Sequence, residues 1–123
     1  MLKLTYYENS FNLEFLEQNL ENWVTTRVLL ALRFGTNIYI EHSTASFVVS
    51  AIALNRVKAE ITDNSIEICP CDAEFVEITL KGTWLTSDST LQNGIFVLSL
   101  SKSMELLLQD LWQQQSFCQV VNG

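Results

Sequence analysis

Residues 19 to 35, NLENWVTTRVLLALRFG, form the longest stretch with a single helical reading, and the rest of the chain is arranged around it. Asn19 is a good N-cap, because its side-chain oxygen accepts from the first free amides of a helix. Glu21 lies in the first turn, where a carboxylate suits the positive end of the helix dipole, and Gly35 follows the last periodic residue as a stop. At about 100° per residue, Leu20, Trp23, Val24, Val28, Leu30, Ala31 and Phe34 gather on one broad side, which is the side expected to be buried. Leu29 and Leu32 fall opposite, among Glu21, Asn22, Thr25, Thr26 and Arg33, so the helix is apolar over more than one stripe and is expected to be covered on two sides. Arg27 falls inside the apolar sector, between Leu20 and Phe34. A guanidinium there either reaches past its neighbours or meets a carboxylate, since an unpaired buried charge is costly.

On both sides of this helix the apolar period changes from helical to two. Leu2, Leu4 and Tyr6 alternate with Lys3, Thr5 and Tyr7; Glu8-Asn9-Ser10 is a polar break; Phe11, Leu13 and Phe15 follow in alternation with Asn12 and Glu14. This reads as a hairpin leading into the helix. After Gly35, Ile38 and Ile40 suggest one strand and Phe47 to Val49 another, with the polar run His42-Ser43-Thr44 between them. From Ala51 to Thr62, after Ser50, the spacing of Leu54, Val57 and Ile61 suggests a short helix. Ile66 and Ile68 open a strand that Pro70 limits, and Asp72-Ala73-Glu74 makes a turn. Val76, Ile78 and Leu80 then alternate with Glu77, Thr79 and Lys81 in a strand that continues past Gly82 into Trp84. Thr86 to Thr90 reads as a loop, Asn93-Gly94 as a turn, and Ile95 to Leu100 as the next strand of an antiparallel meander. Ser101 or Ser103 caps a last helix with Met104, Leu107, Leu108, Leu111 and Trp112 on one face, and the tail beyond Gln115 shows little pattern. The order of elements is that of a single α+β domain over residues 1–123: an antiparallel sheet of about six to seven strands, hairpin and meander, against a long central helix from Asn19 to Gly35 and a C-terminal helix.

Composition narrows the function. The chain has 123 residues, enough for a core that needs neither disulfide nor metal for its stability. Its apolar fraction of 48% against 17% charged residues leaves apolar surface to spare, so a protein partner or a homodimer is expected. The formal charge is −7, and Glu60, Asp63, Glu67, Asp72, Glu74 and Glu77 follow one another with no Lys or Arg between them. Such a field repels a phosphate backbone, which argues against nucleic acid. Of these acids Glu67, Asp72, Glu74 and Glu77 are candidates for contacting a basic partner, the simpler account being a solvated face. No segment approaches the ~20 apolar residues of a bilayer-spanning helix, and the amino terminus lacks the pattern of a signal peptide. The expectation is a cytoplasmic protein that binds no membrane, and three cysteines in such a chain fit a reducing compartment.

No familiar motif supplies chemistry. Cys69-Pro70-Cys71 places two thiols on one side of a strand, and with Cys118 and His42 a Cys3His zinc set can be written, but such sites normally show two paired ligand motifs. Small packed thiols are the simpler reading, and no metal or cofactor is expected. His42 beside Ser43, Thr44 and Ser46 is not a hydrolase signature, because nucleophile and base are brought together by the fold and not by adjacency. Glycines at 35, 82, 94 and 123 cannot build a phosphate-binding loop. What remains is Arg27, which either pairs internally or anchors the carboxylate or phosphate of a ligand. In the second case Glu41, His42 and Trp84 are the candidates to line the pocket around it.

The hairpin segment Leu2-Lys3-Leu4-Thr5-Tyr6, the helix run Arg27-Val28-Leu29-Leu30-Ala31-Leu32-Arg33, Ser43-Thr44-Ala45-Ser46-Phe47, Cys71-Asp72-Ala73-Glu74 and Lys81-Gly82-Thr83-Trp84 together resemble a family of small cyanobacterial proteins of unassigned function. The resemblance implies a cyanobacterial cytoplasmic protein and supplies no mechanism. Two functional expectations follow. The first is a non-enzymatic acidic interaction or accessory module; the second is a small-molecule site, sensory or enzymatic, centred on Arg27, which requires a concave cavity that Arg27 opens into.

Overall fold

A computed structural model describes residues 1–55, 64–87, 92–113 and 117–122. The amino-terminal alternation becomes β1 (Leu2–Tyr7) and β2 (Ser10–Phe15), with Leu4 opposite Leu13. Glu8 and Asn9 join them at φ 47° and 63°. Both central residues of the turn are thus left-handed, which matches its twist to that of the strands. The helix α1 (Leu20–Arg33) starts where Asn19 Oδ1 accepts from the amides of Glu21 at 2.8 Å and Asn22 at 3.3 Å. It ends in a double carbonyl cap: Gly35, at φ 68°, donates to Leu32 O and Thr36 donates to Ala31 O.

Next come β3 (Tyr39–Ser50), the short α2 (Ala51–Asn55), β4 (Ile66–Pro70), β5 (Phe75–Thr86), β6 (Gly94–Leu98), α3 (Lys102–Gln113) and β7 (Phe117–Asn122). The architecture is α+β, with one antiparallel sheet of seven strands in the order β2-β1-β6-β5-β3-β7, and β4 added to β5. Asp72 makes the β4–β5 turn by accepting from the amides of Glu74 and Phe75. Ser101 caps α3 by accepting from the Met104 amide.

Register sorts the side chains into two faces. On one, Leu4 lies opposite Phe96, Phe96 opposite Trp84, Ala45 opposite Leu80, and Phe47 opposite Ile78. Met104, Leu108 and Leu111 of α3 and Leu54 of α2 close this face into the main core. On the other face Leu85 and Val97 meet Met1 and Trp23 in a smaller cluster, with Leu20, Val24 and Ile38 packed at its edge. The α-amino group of Met1 is buried there, 2.7 Å from Glu105 Oε1 and 2.9 Å from Leu16 O.

Three expectations are corrected and one is refined. The polar run His42-Ser43-Thr44 is not a break between two strands: β3 is continuous over twelve residues because Ser43, Ala45, Phe47 and Val49 keep one face buried while their neighbours face outward. The tail is patterned after all, since residues 117–122 pair with β3 from Ser43 to Val48. The meander pairs β4 with β5 and β5 with β6 antiparallel in chain order, but not side by side, because β4 and β6 share one edge of β5 end to end while β3 takes the other edge. The helix α1 is not covered on two sides: Trp23 alone is fully buried, while Leu29, Leu30, Leu32 and Phe34 are 60%, 40%, 71% and 75% exposed. Only its first half meets the sheet. Of the suggested helix from Ala51 to Thr62, residues 56–62, with Val57 and Ile61, lie outside the described residues, as do residues 88–90 of the expected loop.

Gly82 marks the place where β6 gives way to β4. A Cβ there would stand 2.5 Å from Val97 O and 2.7 Å from the Phe96 ring, so only glycine permits this approach. No helix among the described residues is long and apolar enough to cross a membrane.

Candidate functional site

The helix spacing that placed Arg27 in the apolar sector also places it one turn after Trp23, on the same row of α1. Trp23 is held by Met1, Leu85 and Val97, so its ring is a fixed platform. The Arg27 guanidinium lies over that ring with Cζ 4.8 Å from the centroid. Lys3 approaches the same ring, its Nζ 5.9 Å from the centroid, and is itself 3.6 Å from Glu14. A cation on an indole face is held by the ring quadrupole, which orients the guanidinium plane without consuming its in-plane donors. Among the described residues Arg27 has no carboxylate within ion-pair distance; the four ion pairs are Met1 with Glu105, Lys3 with Glu14, Lys81 with Glu67, and Lys102 with Glu17.

Beneath Arg27, where the second half of α1 leaves the sheet, lies an open cleft of about 470 Å³. Its apolar walls come from Trp23, Ile38, Leu85 and Ile95, its polar ones from Thr5, Ser87 and Asn93. Among the described residues Arg27 is the one charged residue that lines it. Arg27 therefore reaches out past its neighbours, the first of the two outcomes open to it, and opens into a concavity.

The other candidates do not join it. Trp84 is on the opposite face of the sheet, 1% exposed in the main core, where its ring meets Tyr6 edge-on at 6.2 Å and its Nε1 has no acceptor among the described residues. Glu41 is exposed and lies opposite Trp84 in the register, so it too stands on that side. His42 lies opposite Thr83 and borders a separate shallow cleft of about 400 Å³ with Thr44, Lys81 and Gly82. The residues that do surround Arg27 were legible only in part. Trp23 was read as core filling, and its spacing of four from Arg27 was the available signal; Thr5, Ile38 and Ile95 come from three other parts of the chain and gave none.

The acids Glu67, Asp72, Glu74 and Glu77 lie on or between β4 and β5. Glu67 is tied to Lys81 at 2.6 Å, Asp72 is occupied by the turn, Glu74 is exposed and Glu77 is half-buried. Cys69 and Cys71 are exposed free thiols. Cys118 sits in β7 opposite Phe47, and β5 and β3 lie between β4 and β7, a separation of three strand spacings or about 14 Å. No group of three or more His, Cys, Asp or Glu among the described residues is placed to hold a metal ion.

Comparison with protein families matches the Alr0857-like family over residues 1–116, and the chain belongs to that family. Neither the curated proteins nor the solved structures give a match.

Proposed function

We propose that this member of the Alr0857-like family is a non-enzymatic interaction module that self-associates through the second half of α1 and the start of β3. The observation that carries the reading is the cluster of exposed large apolar side chains there: Leu29, Leu30, Leu32 and Phe34 on the helix, then Tyr39 and Ile40 on the strand it feeds. Scattered exposed leucines need no explanation, but six large apolar side chains within twelve residues of chain, running round the end of the helix and onto the strand it feeds, are more than monomeric proteins usually leave in water.

The occupant we assign is a second copy of the chain. Each copy carries a formal charge of −7, yet residues 22–40 contain Arg27 and Arg33 and no acid. Two copies therefore approach across this surface without the carboxylate repulsion they meet elsewhere, and a two-fold contact buries the same apolar patch on both. The acidic positions support a partner surface less well, because Glu67 and Asp72 already have internal partners. A cyanobacterial, cytoplasmic setting belongs to this proposal and follows from the resemblance.

Sedimentation velocity over the micromolar range tests it, together with native mass spectrometry of protein isolated gently from its own host. The wild-type chain is expected to be a dimer and the double variant Leu32→Glu/Phe34→Glu a folded monomer with unchanged circular dichroism. A wild-type chain that is monomeric throughout, or a double variant that still dimerises, overturns the reading.

A further inference from the structure

We propose that the cleft beneath Arg27 is a binding site for a small organic monocarboxylate with an apolar or aromatic body, a function separate from self-association. Four observations converge on this class. The cleft is about 470 Å³, within the range of small-molecule sites. Its walls are mainly apolar, with Trp23, Ile38, Leu85 and Ile95 offering flat and branched surface to a hydrocarbon or ring. Among the described residues one charged side chain lines it, so one negative charge is matched and a second is not. That charge is a guanidinium, whose planar fork suits the two oxygens of a carboxylate, and it has no acidic partner among the described residues.

Preorganisation makes the site more than a loose arginine at a groove. A long side chain normally loses rotamer freedom when it binds, a cost that stacking on the Trp23 ring at 4.8 Å has already met in the free protein. The ring in turn is fixed by the Met1, Leu85 and Val97 cluster. A carboxylate arriving at the fork then meets a guanidinium already held over the ring, beside an apolar wall. Arg27 also borders a second depression of about 390 Å³ toward Gln18, Asn19 and Asn22, but that side is lined by polar helix residues with Trp23 and offers no sheet wall. The apolar body selects the sheet side. A phosphate monoester, with up to two charges and no apolar requirement, fits the lining less well than a carboxylate.

The inference is tested on the full chain by two-dimensional ¹H–¹⁵N NMR titration with three acids and their matched neutral amides: benzoate and benzamide, naphthalene-1-acetate and its acetamide, octanoate and octanamide. At least one acid is expected to shift the Trp23 indole N–H and the amides of Ile38, Leu85 and Ile95 in a saturable way, and to bind about tenfold more tightly than its amide, the margin of one charge-assisted hydrogen bond. Arg27→Gln is expected to abolish that margin, so that acid and amide bind equally; Arg27→Lys, which keeps the charge but not the fork, is expected to recover only part of it. Because Arg27 is exposed, both variants should retain the wild-type spectrum away from the cleft. With the wild-type chain, acid and amide binding equally, shifts confined to the Gln18–Asn22 side, or no saturable shift at the Trp23 indole with any acid up to millimolar concentration each overturns the proposal. The titration is run on the Leu32→Glu/Phe34→Glu chain as well as on the wild type, so a failure of self-association leaves the result readable.

Discussion

Replacing Glu105 by Leu removes one member of an ion pair whose other member cannot leave. The Met1 ammonium is fully buried and the Glu105 side chain is 3% exposed, at 2.7 Å. Once the carboxylate is gone the ammonium keeps, among the described residues, only its bond to Leu16 O, and a buried charge stands uncompensated. Breaking a buried pair from one side costs about 3–5 kcal/mol. With about 2.1 cal/mol/K of unfolding entropy per residue, a chain of this size loses roughly 4 °C per kcal/mol, so Tm should fall by about 12 to 19 °C. Glu105→Gln keeps an oxygen that accepts from the ammonium, and should cost about 1–3 kcal/mol. The assay is urea unfolding followed by tryptophan fluorescence, on protein whose free Met1 amine is confirmed by intact mass. Because the pair is buried, the loss should be nearly the same in 0.1 M and 1 M NaCl, unlike that of a surface pair. A loss below about 1 kcal/mol for Glu105→Leu, or one that disappears at high salt, would refute the reasoning.

Other substitutions probe the fold at separate points. Gly82→Ala should destabilise by about 1–3 kcal/mol in the same urea assay, since its methyl meets Val97 O and the Phe96 ring, and neither strand can withdraw without opening the sheet. Asn19→Ala removes the acceptor for the Glu21 and Asn22 amides and should cost about 1 kcal/mol, with faster amide exchange confined to the first turn of α1. Glu8→Gly should raise stability by about 1 kcal/mol in the same assay, because glutamate at φ 47° carries a left-handed strain that glycine does not, while the backbone amide at this position keeps its bond to Asn93 Oδ1; no gain would refute the strain.

Local chemistry is what the sequence made legible. Asn19, Gly35, Ser101 and the alternation from Leu2 to Tyr6 act through their near neighbours, and each of the elements they mark lies where its spacing placed it. The errors arose where a polar side chain has two physical meanings. His42-Ser43-Thr44 looks like a turn, yet in the middle of a sheet with one open face hydroxyls are tolerated, and Ser46 and Thr79 bond each other across that face at 3.0 Å. The breadth of the apolar sector on α1 was read correctly from the residues but wrongly as burial, because periodicity records which side chains avoid water and not what covers them. The Arg27 cleft shows the same boundary. The position of Arg27 beside Trp23 follows from helix geometry alone, whereas the walls it shares with Thr5, Ile38 and Ile95 follow from strand order, which no local pattern encodes.

The strand order has a kinetic meaning. Leu2 pairs with Leu98 and Ser43 with Asn122, so β1 and β3 each leave the ribosome long before the partners that complete their hydrogen-bond ladders. The β1–β2, β4–β5 and β5–β6 pairs, by contrast, form from chain made close by. Until β6 arrives, β1 presents one open edge, and until β7 arrives β3 presents another, each a template for any extended segment that drifts past. Pairings of such long range are slow to close, because the entropy of drawing distant segments together is met before their contacts form. Both edges therefore stay open until the last third of the chain is made, and the formal charge of −7 on each full chain gives neighbouring copies a like-charge repulsion that opposes edge-to-edge contact.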